Sequence, residues 1–482
     1  EVLGEPVGVR RIWFDLIEWR LKEVDIHPVG FKALVAPYVE GADVEGRVWY
    51  IKGDPSEPPA WRDFPEGYIA LAIEPPNPDE VKAAALLAAE HGAKALLLES
   101  RGRPRKMVTT GTWGYSYYSG APTPIPVAYV ERGFISRALR EGYARIYVNA
   151  YTTESRGIIL ELDRGWDAGL PIIGAHYDRW LSCFQDDILG IAQAAYAFKI
   201  IAGESGARLL LFSAEEHGAP GYAGWYWAWG SRWYVREMEK SGLLDDIGLY
   251  INFDLAGAEL RASGSPQVIS NIAEHVAERC CECPECDSFS FAAAGVPTIS
   301  MHSLWDERVR SIYHSIDDSP SSVDYRNAAK AVVLAVKAAL SKPEWGEFSK
   351  RILEWLGGAG LLGRRAAVLI EGIAARVGWD TLYRELARRF LKPVNYGDYR
   401  WATGDLEALW FPEAVIYQRL LRDLNSGINP LEVWIAGEER LLYTTMARGG
   451  RPLSKPGLAW QAKSALEKLN RELEEVQKAL IG

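Results

Sequence analysis

Several apolar runs in the middle of the chain end on an acid or an imidazole. PIIGAHYD ends on His176 and Asp178, and RLLLFSAEE ends on Glu215 and Glu216. LYINFD ends on Asp254, and IYHSIDD carries Tyr313 and His314. Asp186 and Asp187 stand in a loop just before a helical stretch. Taken singly, each is ordinary. A His beside an apolar strand is most often a hydrogen-bonded surface or pocket residue, and an Asp before a helix is most often its N-cap. Independent caps, however, have no reason to recur at four strand ends with imidazoles at two of them. Imidazole and carboxylate are ligands that zinc favours, about four per ion with one position left open in a catalytic site. Two ions about 3.5 to 4 Å apart need one carboxylate that touches both. Five protein ligands with one bridge satisfy two ions if water completes each shell.

The elements around these residues explain how they would converge. From about 151 to 340 the pattern alternates strand (RGIILEL, LPIIGAH, RLLLFSA, GLYINFD, VPTISMH) with helix (ILGIAQAAYAFKIIAG, SRWYVREMEKSG, SPQVISNIAEHVAERC and a stretch from Tyr325). Such alternation implies an α/β fold, a mixed, mostly parallel sheet sandwiched by helices. Ligands in these folds sit beyond the carboxyl ends of the strands, where the acids and imidazoles fall.

Four regions are expected. Residues 1–30 contain RRIWFDLIEWRLKEV, with Ile12, Phe14, Ile17 and Leu21 near one face at helical spacing, which predicts an N-terminal helix packed on the 151–342 domain. Residues 31–150 read as a small, mostly β domain holding one helix, PDEVKAAALLAAEHGAK, with no obvious chemistry of its own. Beyond Pro343, residues 343–482 read as nearly all helical, broken by Gly and Pro near 449–457. This last region is a candidate for homodimerisation or for capping the cleft.

At 482 residues, 48 % hydrophobic and 24 % charged, the chain has an ordinary globular composition and room for two or three domains. A net charge of −10 argues against a nucleic-acid partner. No apolar run approaches the roughly 18 to 20 residues of a membrane span. No signal peptide is visible, so a cytoplasmic location is expected, although the chain lacks an initiator Met. Scarce Asn, Gln, Met and Cys with plentiful Glu, Arg, Trp and Tyr lean towards a thermophilic source.

The order His176-Tyr177-Asp178, Asp186-Asp187, Glu215-Glu216, Asp254, Tyr313-His314 resembles the M28 family of zinc aminopeptidases, over roughly 155–340. The resemblance implies a zinc-exopeptidase fold and two Zn2+ per chain. One ion would be held by His176 and Asp254 and the other by Glu216 and His314, with Asp186 as the bridge. It further implies Glu215 as general base towards the attacking water and the leaving amine. Asp178 would stand behind His176 and fix its tautomer, and Tyr313 would donate to the oxyanion. The 31–150 block, through EGRVWYIKGDP, GAKALLLES and TPIPVAYVERG, resembles the protease-associated (PA) domain often inserted in this family. The implied activity is hydrolysis of N-terminal residues from peptides. A carboxypeptidase, a glutaminyl cyclase-like transferase and a non-catalytic receptor-like protein of the same fold are the alternatives.

The sequence departs from the family where D-D-x-S-G is replaced by Asp186-Asp187-Ile188-Leu189-Gly190, with Cys183 just upstream. A Trp-rich segment, 221–234, reads either as a packed surface contact or as an aromatic wall for substrate. Cys280, Cys281, Cys283 and Cys286 crowd at the expected end of a helix, as a disulfide, a metal or redox site, or unpaired thiols. His27, His91, His217, His275 and His302 are read as structural, with His217 the one placed to touch substrate.

Overall fold

The structure is a computed structural model. It describes the chain except for residues 1–7, 40, 63, 76–80, 105–122, 217–227, 398–405, 416, 419–421, 423–431, 436–439 and 444–454. Two long strands organise it. β1 (Val9–His27) runs antiparallel to β7 (Tyr143–Arg164) over its whole length, with a register shift between Leu21 and Glu23. The helix expected over 1–30 is therefore a strand. The apolar residues Ile12, Phe14 and Leu16 alternate with Trp13, Asp15 and Ile17, and this period of two wins because β7 supplies a partner edge. Ile12, Phe14 and Leu16 pack into a core of the 151–342 domain, whereas Trp19, Leu21, Val24 and Ile26 pack into the core of the preceding block. One ribbon thus belongs to both cores, and β7 crosses the boundary expected at 150/151.

The block before it holds β2 (Ala33–Val35), β3 (Ala42–Tyr50), β4 (Tyr68–Ile73), α1 (Val81–Glu90), β5 (Ala93–Glu99), β6 (Val127–Val130) and α2 (Phe134–Glu141). Strands β3, β4, β5 and β6 are mutually parallel, and β2 closes the edge antiparallel to β6. The block is mostly β, as expected, with two helices beside five strands. Parallel neighbours need crossovers, and the buried Ala-rich face of α1 provides one.

The next domain adds β8 (Pro171–His176), α3 (Gly190–Glu204), β9 (Ala207–Phe212), α4 (Trp229–Lys240), β10 (Leu249–Phe253), β11 (Arg261–Gly264), α5 (Pro266–Ile269), β12 (Glu278–Cys280), α6 (Asp287–Ala293), β13 (Thr298–His302), α7 (Glu307–Ile312) and α8 (Tyr325–Leu340). The sheet order is β12-β11-β13-β10-β8-β9-β7. Its centre, β13-β10-β8-β9, is parallel and fully buried in stretches such as LYINF, as expected of strands covered on both faces. Helices α3 and α8 cover one face, and α4 and α6 cover the other. The result is the mixed, mostly parallel sheet between helices that the alternation implied.

After it come α9 (Trp345–Gly357), α10 (Gly360–Val377), α11 (Trp379–Phe390), β14 (Leu391–Gly397), β15 (Leu406–Trp410), β16 (Glu432–Ile435), β17 (Arg440–Tyr443) and α12 (Lys455–Ile481). The C-terminal region is helical, but it also holds a four-stranded antiparallel sheet, β15-β14-β16-β17, where only helix was expected. Its core, built on Phe348, Tyr383 and Trp410, includes Phe289 and Ala292 of α6, so the region is packed onto the preceding domain. Among the described residues, no helix is long and apolar enough to cross a membrane.

Candidate metal centre

His176 is the last residue of β8, and Asp254 directly follows β10. Glu215 and Glu216 lie beyond the end of β9, and His314 lies just beyond α7. Asp186 and Asp187 occupy a wide turn before α3, both with non-helical backbone and joined by a cis peptide bond. Three parallel strands thus end side by side and aim their termini at one point. The two turns close over it.

At that point two groups of potential ligands share one residue. His176, Asp186 and Asp254 form the first, and Asp186, Glu216 and His314 the second, each with ligand atoms within 4.8 Å of one another. Asp186 turns Oδ1 to His176 Nε2 at 3.2 Å and Oδ2 to His314 Nε2 at 3.1 Å. Glu216 Oε1 is also 3.1 Å from His314 Nε2, and Asp254 Oδ1 is 3.9 Å from His176 Nε2. All five residues are buried. Glu216 Oε1 and His314 Nε2 nevertheless have no hydrogen-bond partner among the described residues. Buried polar atoms left in this state are costly. Buried ligand atoms this close that do not bond one another fit a cation between them, and the donor set of two imidazoles and three carboxylates fits zinc.

The electrostatics agree with a cation-seeking cluster. Burial alone would lower the His314 imidazole, but Glu216 and Asp186 outweigh it and raise it to about 10. Burial would raise the Asp186 carboxyl, yet His176 and His314 hold it below the usual carboxylate range. Glu216 is pushed up to about 7 by burial and by Asp186, with His314 opposing. Glu215 is raised well above the ordinary value by burial, and Asp254, Glu216 and Asp287 add to the shift against His176. The Tyr313 phenol is raised by burial and by the carboxylates of Glu216, Asp186, Glu215 and Asp254, so it keeps its proton as a donor. Its ring stacks on His314 with centroids 3.7 Å apart.

Asp178 stands behind His176, where it was expected, and its carboxylate also serves the neighbouring turn. The contact to His176 Nδ1 comes from the main-chain carbonyl of Asp178 at 2.9 Å, while the nearer carboxylate oxygen is 3.7 Å away. That carboxylate accepts hydrogen bonds from the backbone N–H groups of Glu215 at 3.2 Å and Glu216 at 3.1 Å. The main-chain carbonyl and, at the longer distance, the carboxylate of Asp178 thus both face His176 Nδ1.

Sequence reasoning passed over Asp318. Its carboxylate accepts from three successive backbone amides, Phe184 at 3.0 Å, Gln185 at 2.9 Å and Asp186 at 3.2 Å. The available signal was its position four residues after His314, on the same turn. Asp187 is buried behind the turn, where its Oδ1 accepts from Gly190 N at 3.1 Å. A Cβ on Gly190 would lie 2.2 Å from that oxygen, so the Gly that ends the altered motif is required by close approach.

Residues 158–339 match the model of peptidase family M28. This segment is an M28 peptidase domain. No curated protein matches the chain. Among solved structures, a zinc aminopeptidase from Bacillus subtilis is similar over 69 % of this chain and 84 % of its own, at 17 % identity and a TM-score of 0.53. A peptidase M28 precursor from Shewanella amazonensis is similar over 70 % of this chain and 85 % of its own, at 20 % identity and a TM-score of 0.52. At such identities these structures show a shared fold.

The other singled-out residues lie away from the candidate metal cluster or outside the described residues. His27 faces Glu141 at 2.8 Å, His91 stacks on Trp61, and His275 lies 3.3 Å from Lys337. His302 is buried against Ser263 at 2.7 Å. His217 and residues 221–227 of the Trp-rich segment lie outside the described residues. In the described part, Trp229 Nε1 donates to the Asp15 carbonyl and Trp233 packs on Phe14, which is a contact with β1. Cys283 and Cys286 form a disulfide, whereas Cys183 is a buried thiol and Cys281 an exposed one. Cys280 ends strand β12 and Cys281, Cys283 and Cys286 follow it, where a helix end was expected, because β11 offers Glu278–Cys280 a parallel edge.

Proposed function

We propose that this chain is a two-zinc aminopeptidase. The observation that carries the reading is the Asp186 carboxylate, one oxygen directed to each of two ligand groups. His176 and Asp254 would hold one ion, Glu216 and His314 the other, and Asp186 both. Zinc bound there would supply Lewis acidity and lower the pKa of water at the site.

The chain's own residues would do the rest. Glu215, buried beside the ligands and not itself in either group, would take the proton of the attacking water and return it to the leaving amine. Asp178 holds the Glu215 and Glu216 amides, which fixes the base relative to its neighbouring ligand. Tyr313 would donate its phenolic proton in a hydrogen bond to the oxyanion that forms at the scissile carbonyl.

Attack at chain ends is supported by the way the 31–150 block meets the catalytic turns. Trp180, Leu181 and Tyr313 pack into or against the core of that block, and Arg103 pairs with Asp317 at 3.2 Å. A domain seated on those turns would narrow one side of the approach, as the proposed PA-like role would require. A panel of free-amine peptides, acyl-blocked peptides and an N-terminal glutaminyl peptide tests the reading. Cleavage confined to free-amine substrates is expected. Internal cleavage of blocked peptides, or cyclisation of the glutaminyl peptide without hydrolysis, would overturn it.

A further inference from the structure

From the three amides that converge on Asp318, we infer that this residue is a positioning residue which locks the bridging ligand Asp186 and couples the two halves of the metal centre. The inference rests on the two-zinc reading. Asp186 sits in a turn of irregular backbone, closed by the Leu189 N–H donating to the Phe184 carbonyl at 2.9 Å, a bond that does not involve Asp186 itself. What holds it is an internal anion. The N–H groups of Phe184, Gln185 and Asp186 converge on the two oxygens of Asp318, an anion-binding concavity of successive amides filled by a side chain of the same protein. Hydrogen bonds to a carboxylate are stronger than neutral ones, and three of them fix the peptide planes of the turn.

The coupling follows from where Asp318 comes. Its turn is the one that carries His314, and the Asp318 N–H donates to the Ser315 carbonyl at 3.2 Å. Two further bonds join the same turns: Cys183 Sγ donates to the Ser315 carbonyl at 3.5 Å, and Gln185 Nε2 donates to Ser322 Oγ at 2.8 Å. The ligand His314 and the clamp on Asp186 therefore move together. Displacing Asp186 would disturb both groups at once, because its carboxylate serves both. Asp318 lies in neither ligand group, so its effect reaches the metals only through Asp186 and the shared turn.

The test uses the full chain and begins without metal. Amide hydrogen exchange of residues 184–186 in the metal-free wild type is expected to be slow, because the clamp does not depend on an ion. In Asp318→Asn one acceptor oxygen becomes a donor facing an N–H. Those amides are then expected to exchange at least about tenfold faster. Zinc affinity, read by competition with a chromophoric chelator, is expected to fall about 10- to 100-fold. At saturating zinc, kcat should fall more than KM rises. Asp317→Asn, one residue away and bonded to Arg103, is the control expected to keep wild-type exchange and affinity. Free exchange of 184–186 in the metal-free wild type overturns the clamp even if the variant fails to fold. A folded Asp318→Asn with wild-type zinc affinity overturns the coupling. A wild type that binds no zinc would instead defeat the two-zinc reading, and the exchange measurement would still judge the clamp.

Discussion

The Nε2 atom of His314 lies 3.1 Å from the Oε1 atom of Glu216, both atoms are buried, and neither has a hydrogen bond among the described residues. Two polar atoms this close usually bond to each other. Here they do not, and Asp186 Oδ2 also lies 3.1 Å from the same imidazole nitrogen, so two carboxylate oxygens share one point beside the ring. Such an arrangement is stable only if something positive occupies that point, an imidazolium proton or a metal ion.

The neighbouring acids Glu215 and Glu216 should separate cleanly on mutation. Glu215→Gln is expected to retain zinc and to lose about 100- to 10,000-fold in kcat, the usual range for a general base. Glu216→Gln is expected to weaken zinc binding by more than the roughly 10- to 100-fold that follows loss of a residue that only supports a ligand. Metal analysis and initial rates on both variants check this, and full activity in Glu215→Gln would remove it from its role.

Removing metal should affect both activity and stability. A strong chelator is expected to abolish peptidase activity, and added zinc to restore it. Because zinc would bind the folded chain alone, free zinc at about a hundredfold over Kd should stabilise it by about 2.7 kcal/mol. Thermal unfolding with and without zinc reads this directly, and an unchanged midpoint would contradict it.

His302 gives a pH dependence of stability that is separate from the metal ligands. Burial, with a smaller effect from Arg261, holds its imidazole down to about 4. A group depressed in the folded state stabilises fully above its unfolded value near 6.5 and loses that contribution as pH falls towards 4. The size is about 3 kcal/mol across this window. The difference in unfolding free energy between metal-free wild type and His302→Asn should therefore shrink between pH 7 and pH 4.5. A difference that stays constant would show that the imidazole is not buried as a neutral group.

Much of the candidate metal centre was legible because its residues sit at the ends of apolar runs, where strand direction alone predicts that they come together. His176, Glu216 and Asp254 follow β8, β9 and β10 in this way. Asp318 was not legible, because its partners are backbone amides, and amides carry no sequence signature. Strand β1 is hard to read from sequence because Ile12, Phe14, Ile17 and Leu21 fall near one face of a helix, although in the strand Ile17 lies on the face opposite Ile12 and Phe14. Only the edge of β7, more than a hundred residues away, decides between helix and strand. The sheet β14–β17 is hidden for a similar reason, as its strands are four to seven residues long within a helical region. Cys283 and Cys286 were visible as a cluster, but spacing alone does not give connectivity.

Trp180 tests how firmly the N-terminal block grips the catalytic turns. It is buried in the core of that block although it follows Asp178 by only two residues. Trp180→Ala is expected to cost about 3 to 5 kcal/mol, seen as a lower unfolding midpoint with zinc still bound. A loss well under about 1 kcal/mol, within the range of surface substitutions, would mean that the block is not held through this residue.

The central claim is that Asp186 bridges two zinc ions, and anomalous scattering at the zinc edge from crystals of the zinc-loaded chain tests it most directly. The account predicts two peaks about 3.5 to 4 Å apart, one beside His176 and Asp254 and one beside Glu216 and His314, with the Asp186 carboxylate between them. A single peak, or two peaks that Asp186 does not join, would contradict it.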